Sequence, residues 1–539
     1  VWTVTTLNGN VIAHHANAEC GRIDMFTSGA SAGTAFKGQI EGAALPDTTA
    51  IASFRMGAFS NSLKWPKNGC YHEGRLWLAG AIDNRFDASV SNDALNFSIS
   101  HRDGSVTDER AISETLNSSD VNPIFWMMPD LQGILIGTQA GEWILQASNA
   151  NNPLTPTSIQ AHRITKYGCA NAEPVRTGLT TCFIQRFRRR VHEFLSDVFS
   201  GKFYAPNLSE KAKHITQSYV QEIDYQEELA PIVWGRRSDG DLIGCTYRRI
   251  AMMSQEPPQF RGWHKHDHGA GSPITSMAVG ADTSGSLDAL SVTVSDAGGN
   301  FFVEVMQQMF DEESVLTDGC FLDSYLIPAA AQVSGSSIVF SGLWPMIGEK
   351  LTVFAAGLDC GDVTISATGT ATIAMKSDPD ALFTADYCTA LEYGAGGTNS
   401  VPLFDASGVF ICYLPCIVGY PFTSQGQILP PMAPEQTGAR TGPSFGKVNR
   451  HNAIAALLNT TVGISFGTDF DRPLKPAYFK SRSGKGTQVL RKDQPFSGTH
   501  YMTIDDEGTA MDNAICWEIT RPYPATVVAI GGFDSTEDR

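Results

Sequence analysis

Gln132-Gly-Ile-Leu-Ile-Gly-Thr138, followed at once by Glu142-Trp-Ile-Leu145, consists of two short apolar runs separated by a few turn-forming residues. Apolar runs of this length bounded by turn signals read as strands, and two so close together read as a hairpin. The unit returns along the first half of the chain. Gly74-Arg-Leu-Trp-Leu-Ala-Gly80 precedes it, and Thr181-Cys-Phe-Ile-Gln185 and then Pro231-Ile-Val-Trp234 with Leu242-Ile-Gly-Cys-Thr-Tyr247 follow. Their spacing, roughly 50 to 60 residues, is near the period of β-propeller blades or of stacked sheet modules. No nucleophile motif or phosphate loop accompanies them, so the chain reads as a scaffold before it reads as an enzyme.

A chain of 539 residues exceeds one ordinary core, and at about 100 to 250 residues per domain two to four domains are expected. Hydrophobic residues at 42% against 18% charged supply enough apolar material for packed cores. The 51 glycines and 27 prolines favour short strands and tight turns. The fold class expected is all-β: a β-propeller-like domain with additional antiparallel β-sheet or sandwich domains. Blades are assigned to residues 1–280 and an inserted or appended β domain to 281–424, where Leu290-Ser-Val-Thr-Val294, Leu351-Thr-Val-Phe354 and similar runs alternate with turns. A Gly- and Pro-rich loop takes 425–445, and a C-terminal β region, with a return to the propeller left open, takes 446–539. Helix is scarce; Ser209-Glu-Lys-Ala-Lys-His-Ile215, with Ser209 placed to cap its start, is the best short candidate.

The net charge of −17 opposes capture of free nucleic acid or an anionic membrane. It excludes a sequence-specific DNA reader, yet suits a conduit that must let DNA pass without gripping it. The eleven cysteines show no paired spacing of a disulfide scaffold, which fits assembly in a reducing cytoplasm. No run approaches the roughly 18 apolar residues of a membrane span, so direct membrane insertion is not expected. Val1-Trp-Thr-Val-Thr begins as a strand under way, without Met, so a preceding segment is expected to be missing.

Trp263-His-Lys-His-Asp-His268 is the sharpest candidate for chemistry. On an extended strand side chains repeat every second residue, so His264, His266 and His268 would share one face and could bind a transition metal. The bland alternative is a Trp-anchored strand end exposing polar groups, and without a fourth ligand nearby no metal or other cofactor is assigned. His14-His15 with Cys20 is a weaker set. Arg186-Phe-Arg-Arg-Arg190 falls in a hairpin turn, where Arg186, Arg188, Arg189 and Arg190 could face a channel and grip phosphate, or pair with acidic groups of a neighbouring subunit. Overall charge favours the protein-facing role. Ser238-Asp-Gly-Asp-Leu242 is similar to the Asp-containing turns of propeller glycosidases, but Asp-Gly is also the standard chemistry of a type I′ hairpin turn. Ile504-Asp-Asp-Glu-Gly508 lacks the ligand spacing of a calcium loop and reads as a hairpin tip.

Taken in order, several segments resemble the tail tubular, or nozzle, proteins of short-tailed bacteriophages. They are Gly74–Gly80, Ser89-Val-Ser-Asn-Asp-Ala-Leu-Asn-Phe97, Leu135-Ile-Gly-Thr-Gln-Ala-Gly-Glu-Trp143, Leu154-Thr-Pro-Thr157, Phe183-Ile-Gln-Arg186 through Glu193, Ile232-Val-Trp234 with Asp239-Gly240, Gly262-Trp-His-Lys-His266, Phe302-Val-Glu304, Phe321-Leu-Asp-Ser324 and Gly348-Glu-Lys-Leu-Thr-Val353. The order holds over roughly residues 63 to 535, while His268 and the stretch from about Asp378 to Thr398 depart from the pattern. The resemblance implies a propeller-like domain with further β domains, and a virion protein without catalytic residues. It also implies a homo-oligomeric ring, a hexamer, around a channel for genomic DNA. Its partners would be a portal-adaptor ring and tail fibre or spike proteins, and it would retain and conduct the genome during ejection. The competing reading is a propeller-type protein of the virion that binds or hydrolyses glycans, which needs two carboxylates flanking one pocket.

Overall fold

A strand that is apolar at every position is stable only where both faces of its sheet are covered. Gly133–Thr138 is such a strand but for Thr138, whose hydroxyl donates to Gly141 O, and all six of its residues are buried. Ile134 and Ile136 turn to one side, into a cluster with Trp77, Phe86 and Ile112. Leu135 turns to the other, against Phe183 and Phe194. In the computed structural model the described residues run from 53 to 537, together with strands between 9 and 41. Segments 61–63, 102–104, 198–201, 249–259, 311–313, 375–398, 430–447, 490–493 and 505–513, and some isolated positions, fall outside them.

The apolar hairpins are the centres of consecutive four-stranded antiparallel meanders. The first comprises Asn68–His72, Arg75–Ala79, Arg85–Ala88 and Ile112–Thr115. The second comprises Ile124–Asp130, Gly133–Thr138, Gly141–Ala147 and Ile159–Thr165. The third comprises Val175–Thr177, Thr180–Ile184, Val191–Asp197 and Lys202–Tyr204. The fourth comprises Val220–Gln226, Ile232–Arg237, Leu242–Arg248 and Phe260–His266. A three-stranded sheet, Ile274–Ala281, Asp288–Ser295 and Phe301–Val305, comes next. This is the β-propeller-like arrangement, in which neighbours are joined by alternate residues of their central strands. Val233, Ile243 and Cys245 meet Cys182 and Ile184 of the third meander. Ile232, Trp234 and Leu242 meet Ile274, Met277 and Leu290 on the other side. Each such side chain, fully buried, contributes about 1.5–3 kcal/mol.

Glycine recurs opposite a ring in the paired strands. Trp126 and Gly137 are cross-strand partners, and a Cβ on Gly137 would lie 2.1 Å from the indole. Gly244 faces His264 and Gly426 faces Trp517 in the same way, with corresponding clearances of 2.2 and 2.1 Å. A ring laid across a glycine restores the packing that the missing side chain gives up.

Two local expectations change. The Ser238–Asp241 turn is a hairpin turn but not type I′, which needs φ > 0 at both central residues. Only Gly240 has a positive φ, +93°; Gly240 N–H donates to Arg237 O and Arg237 N–H to Asp241 O, the pattern of a type I turn closed by a glycine bulge. The helix is a single turn, Lys213–Thr216, and Ser209 does not cap it. The Ser209 hydroxyl instead accepts from Val191 N–H and donates to Asn207 Oδ1, tying the preceding loop to the third meander.

The chain divides into two compact units, and the segments between residues 267 and 304 alternate between them. The hairpin from Ile274 to Ser295 belongs with the meanders because its inward face fills the fourth meander's outer cluster. In the second unit the eleven-residue strand Phe410–Tyr420 serves two sheets. Its first half pairs with Ser400–Phe404 and its second half with Lys350–Ala355. Around it the sheets enclose Phe340, Leu351, Val353, Leu403 and Leu414, each 0% exposed, giving the expected sandwich-like core. The C-terminal strands lie in this same unit instead of returning to the meanders. Val462 and Tyr523 pack with Phe354 and Ile417, and the Arg521 guanidinium donates to Asp359 (Nε, 2.5 Å) and Asp362 (3.0 Å). In the expected loop 425–445, Ser424–Gln427 begins as a strand paired with Cys516–Ile519, and residues 430–445 lie outside the described set.

Gly137→Ala is expected to drive the Trp126 ring from its seat and cost about 1–3 kcal/mol by overpacking. Equilibrium urea unfolding checks this, with Gly178→Ala, at a glycine with no atom within 4 Å of the added Cβ, showing the cost of the positive φ alone.

Candidate functional site

The four arginines sit in the turn between Thr180–Ile184 and Val191–Asp197. Arg188 adopts φ +58°, which sends its side chain to backbone oxygens. Nη1 donates to Gln221 O (2.8 Å) and Val220 O (3.3 Å), and Nη2 to Asn171 O (2.8 Å). Burial, and then the neighbouring Arg236, lower its pKa from the usual value. Arg188 is therefore a strut between the third and fourth meanders. Arg189 stacks over Tyr219 at 4.8 Å and donates to its hydroxyl, and Arg186 covers Phe187 at 4.7 Å. Arg186, Arg189 and Arg190 are exposed, so the outward-facing charge of the turn is theirs.

The three histidines do not share one face. The strand ends at His266, and the turn that follows carries His268 elsewhere. His264 and His266 do meet: His264 Nδ1 lies 2.7 Å from His266 Nε2, with the rings nearly perpendicular. Trp234 stands 5.5 Å from each ring. Burial lowers the His264 pKa. Among the described residues no group of three or more His, Cys, Asp or Glu side chains is placed to hold a metal. His14, His15 and Cys20 lie where no side chains are described.

His268 instead joins Glu304 and Ser324 in the second unit. Ser324 Oγ donates to Glu304 Oε1 at 2.5 Å and lies 2.8 Å from His268 Nε2, which is 3.3 Å from Glu304 Oε2. Burial works to raise the Glu304 pKa, but the hydrogen bonds from His268 and Ser324 outweigh it and hold the carboxyl below its usual range. Asp323 accepts from Gly269 N–H (2.8 Å), yet burial leaves its pKa raised. Serine, histidine and a carboxylate suggest an activated nucleophile, and the protons decide otherwise. The Ser324 hydroxyl donates to Glu304, so its hydrogen is committed to the carboxylate rather than to Nε2, which lies between the serine oxygen and Glu304 Oε2. Nδ1, where an orienting acid would act, is buried without a hydrogen-bond partner. The trio is a polar tie.

Two fully buried acids escaped the sequence reading. Glu142, 0% exposed, accepts from the Thr165 hydroxyl and from Cys169 Sγ (3.3 Å). Burial raises its pKa despite these donors. Glu193, also 0% exposed, accepts from the Tyr247 hydroxyl at 2.5 Å, which lies 3.2 Å from the Thr180 hydroxyl. Burial, and then Glu193, push the Tyr247 phenol up. The signal was an acid set beside aromatic residues in a strand segment, in Gly141-Glu142-Trp143 and His192-Glu193-Phe194. Such a residue must find donors within the fold.

No protein-family model matches the chain, and no curated protein matches it significantly. Solved structures similar to it include the β-propeller domain of Cps50 (Swd1) from Myceliophteria thermophila, with 10% identity over 60% of this chain and 86% of that one, at a TM-score of 0.29. Human WBSCR16 has 10% identity over 77% and 99%, at 0.28, and Citrobacter koseri AztD 7% over 70% and 92%, at 0.26.

Tyr247→Phe is expected to cost about 1–3 kcal/mol, because Glu193 loses a donor and stays buried; chemical denaturation measures it. Burial depresses the pKa of His72, His192 and His264 below the unfolded value of 6.5. The unfolded chain then binds more protons, so their contribution is complete above pH 6.5 and declines as pH falls through the folded pKa values. Urea midpoints between pH 8 and 5 should therefore fall below 6.5, and replacing His192 by Gln should flatten part of that slope.

Proposed function

We propose that this chain is a structural protein of a phage tail, a nozzle subunit that assembles into a homo-oligomeric ring and retains and conducts the genome. The observation that carries the reading is an exposed apolar strip. Phe301, Val303, Val305 and Met309 are 67%, 74%, 51% and 68% exposed, with Phe302 and Met306 beside them. In a chain of net charge −17, copies repel one another unless apolar area offsets the repulsion, and exposed apolar patches mark association sites. A ring requires a heterologous contact, in which this strip meets a different face of the next copy. In the arginine turn the exposed Arg186, Arg189 and Arg190 offer charge to the carboxylates of a neighbouring copy, while Arg188 is engaged within the chain. In this reading DNA passes the acidic wall without sequence-specific contact, and an adaptor ring and fibre or spike proteins attach at the ends of the ring.

The glycan reading needs two accessible carboxylates at one pocket. Glu142 and Glu193, the acids buried in successive meanders, are enclosed and turned to hydroxyl and thiol donors.

Sedimentation velocity and negative-stain imaging of the purified chain test the proposal. A closed ring is expected, with Phe301→Glu and Val303→Glu together reducing it to monomers at an unchanged melting temperature. A monomer at tens of micromolar, or cleavage of host polysaccharide, overturns it.

A further inference from the structure

The cations around the arginine turn lack the counter-ions that serve arginines elsewhere in the same unit. Arg85 pairs with Asp87, Arg236 with Glu222 and Arg237 with Asp239. Arg186, Arg189 and Arg190 are exposed, and so are Lys166, Lys211 and Lys213 in the two segments that close on the turn. Gly168 O accepts from Arg186 N–H at 2.9 Å on one side, and the Thr216 hydroxyl donates to Arg189 O at 2.9 Å on the other. Among the described residues no carboxylate pairs with any of these six cations. Glu173 and Glu210 are the acids of the same segments. Phe187, Tyr219 and Tyr167, 64%, 44% and 42% exposed, stand among the cations. Aromatic rings beside arginines are the composition of a protein interface, and Arg186 and Arg189 are already laid over Phe187 and Tyr219.

A cluster of opposite sign lies at the other end of the meanders. Glu227 and Glu228, with the exposed Leu229 beside them, occupy the turn between the first and second strands of the fourth meander. Asp282 and Asp288 flank the matching turn of the next sheet. Asp288 Oδ2 accepts from Glu227 N–H (2.8 Å) and Glu228 N–H (3.1 Å), which joins the two turns. No Lys or Arg lies in 226–230 or 281–288, and among the described residues no cation pairs with these four acids. Antiparallel strands put the first turn of a meander at one end and its second turn at the other, and the arginine turn is a second turn. Neighbouring meanders run in step: Arg188 Nη1 reaches Gln221 O at the arginine end, and the Thr180 and Tyr247 hydroxyls lie 3.2 Å apart at the acidic end. With strands of five to seven residues, the two ends stand about 20 Å apart. Exposed charges are screened beyond about 8 Å, so neither cluster neutralises the other within one copy.

We propose that the arginine turn of one copy docks on the acidic end of the next, with Arg186, Arg189 and Arg190 against Glu227, Glu228, Asp282 and Asp288. The pairing rests on the ring assembly proposed above and assigns two of its contact surfaces. Because they lie at different ends of one unit, the contact is heterologous, as a ring requires. Phe187 and Leu229, 64% and 55% exposed, bring apolar area to it, while the complementary charges fix register and partner choice.

Sedimentation velocity of the intact chain and of two charge-reversed variants tests this. One variant carries Arg186→Glu, Arg189→Glu and Arg190→Glu, and the other Glu227→Lys and Glu228→Lys. Each alone is expected to weaken self-association at least about tenfold. An equimolar mixture is expected to reassemble, because the reversed turn of one variant meets the reversed end of the other and the two native surfaces meet each other. Circular dichroism and melting temperature establish that each variant is folded. Assembly of either variant alone as in the native chain, or failure of the mixture to reassemble, overturns the pairing and leaves the native ring standing. A native chain that stays monomeric at tens of micromolar overturns ring and pairing together. Duplex DNA held by the native chain and released by the arginine variant, with assembly intact, assigns the turn to phosphate and overturns the pairing.

Discussion

Burial of the central strands on both faces is the constraint on which the meanders depend. Ile134 and Ile136 serve one neighbour while Leu135 serves the other, and Val233 is flanked by Ile232 and Trp234 in the same manner. A sheet with two apolar faces cannot stand alone in water. The second, third and fourth meanders each have apolar clusters on both faces, so their stability is coupled to that of their neighbours. A one-residue slip in any central strand would exchange the side chains offered to its two neighbours. Register is held against this by the turns and by the glycine–ring pairs, which allow Trp126 and His264 only one seat each.

Several polar groups in this packing have their donors and acceptors matched, whereas Trp126 Nε1, Thr181 Oγ1 and His192 Nε2 are buried without a hydrogen-bond partner. Arg188 satisfies three backbone oxygens at the joint of two meanders, and Arg75, 3% exposed, donates to the carbonyls of Ser89, Asp108 and Arg110. Glu193 and Tyr247 bridge the third and fourth meanders. Such ties add little net stability, since both partners give up water, but breaking one leaves the other stranded. They fix how the sheets sit more than how strongly they hold. The raised pKa of Glu142 shows burial outweighing its two donors there.

The hairpins were legible because a two-faced strand needs an apolar run bounded by turn residues, as in Gly133–Thr138 and Leu242-Ile-Gly-Cys-Thr-Tyr247. The outer strands were not, since Ile159–Thr165 alternates irregularly and is half exposed. The turn at Gly240 was read as the wrong type because Asp-Gly specifies tight reversal without fixing how many residues close it. The histidine strand was half legible. Alternation correctly joined His264 to His266, but it presumed that the strand continues, and the strand stops before His268. Glu304 and Ser324, the partners His268 finds, are 36 and 56 residues away. Strand periodicity carries no information at that range.

The division of labour between charge and apolar surface bears on how such a chain could form a wall. At physiological salt, exposed charges are screened beyond about 8 Å, so a net charge of −17 acts chiefly on what comes close. A nucleic acid backbone at the surface is within that range and is repelled. A neighbouring copy is within it too, and a contact between copies must therefore place apolar groups at its centre and leave carboxylates at the rim. The strip from Phe301 to Met309 has that composition, with Glu304 withdrawn from it by His268 and Ser324. The polar tie to His268 and Ser324 thus engages the one acidic residue of an otherwise uncharged edge, so that a part-buried hydrogen-bond network and an outward apolar surface meet in one segment.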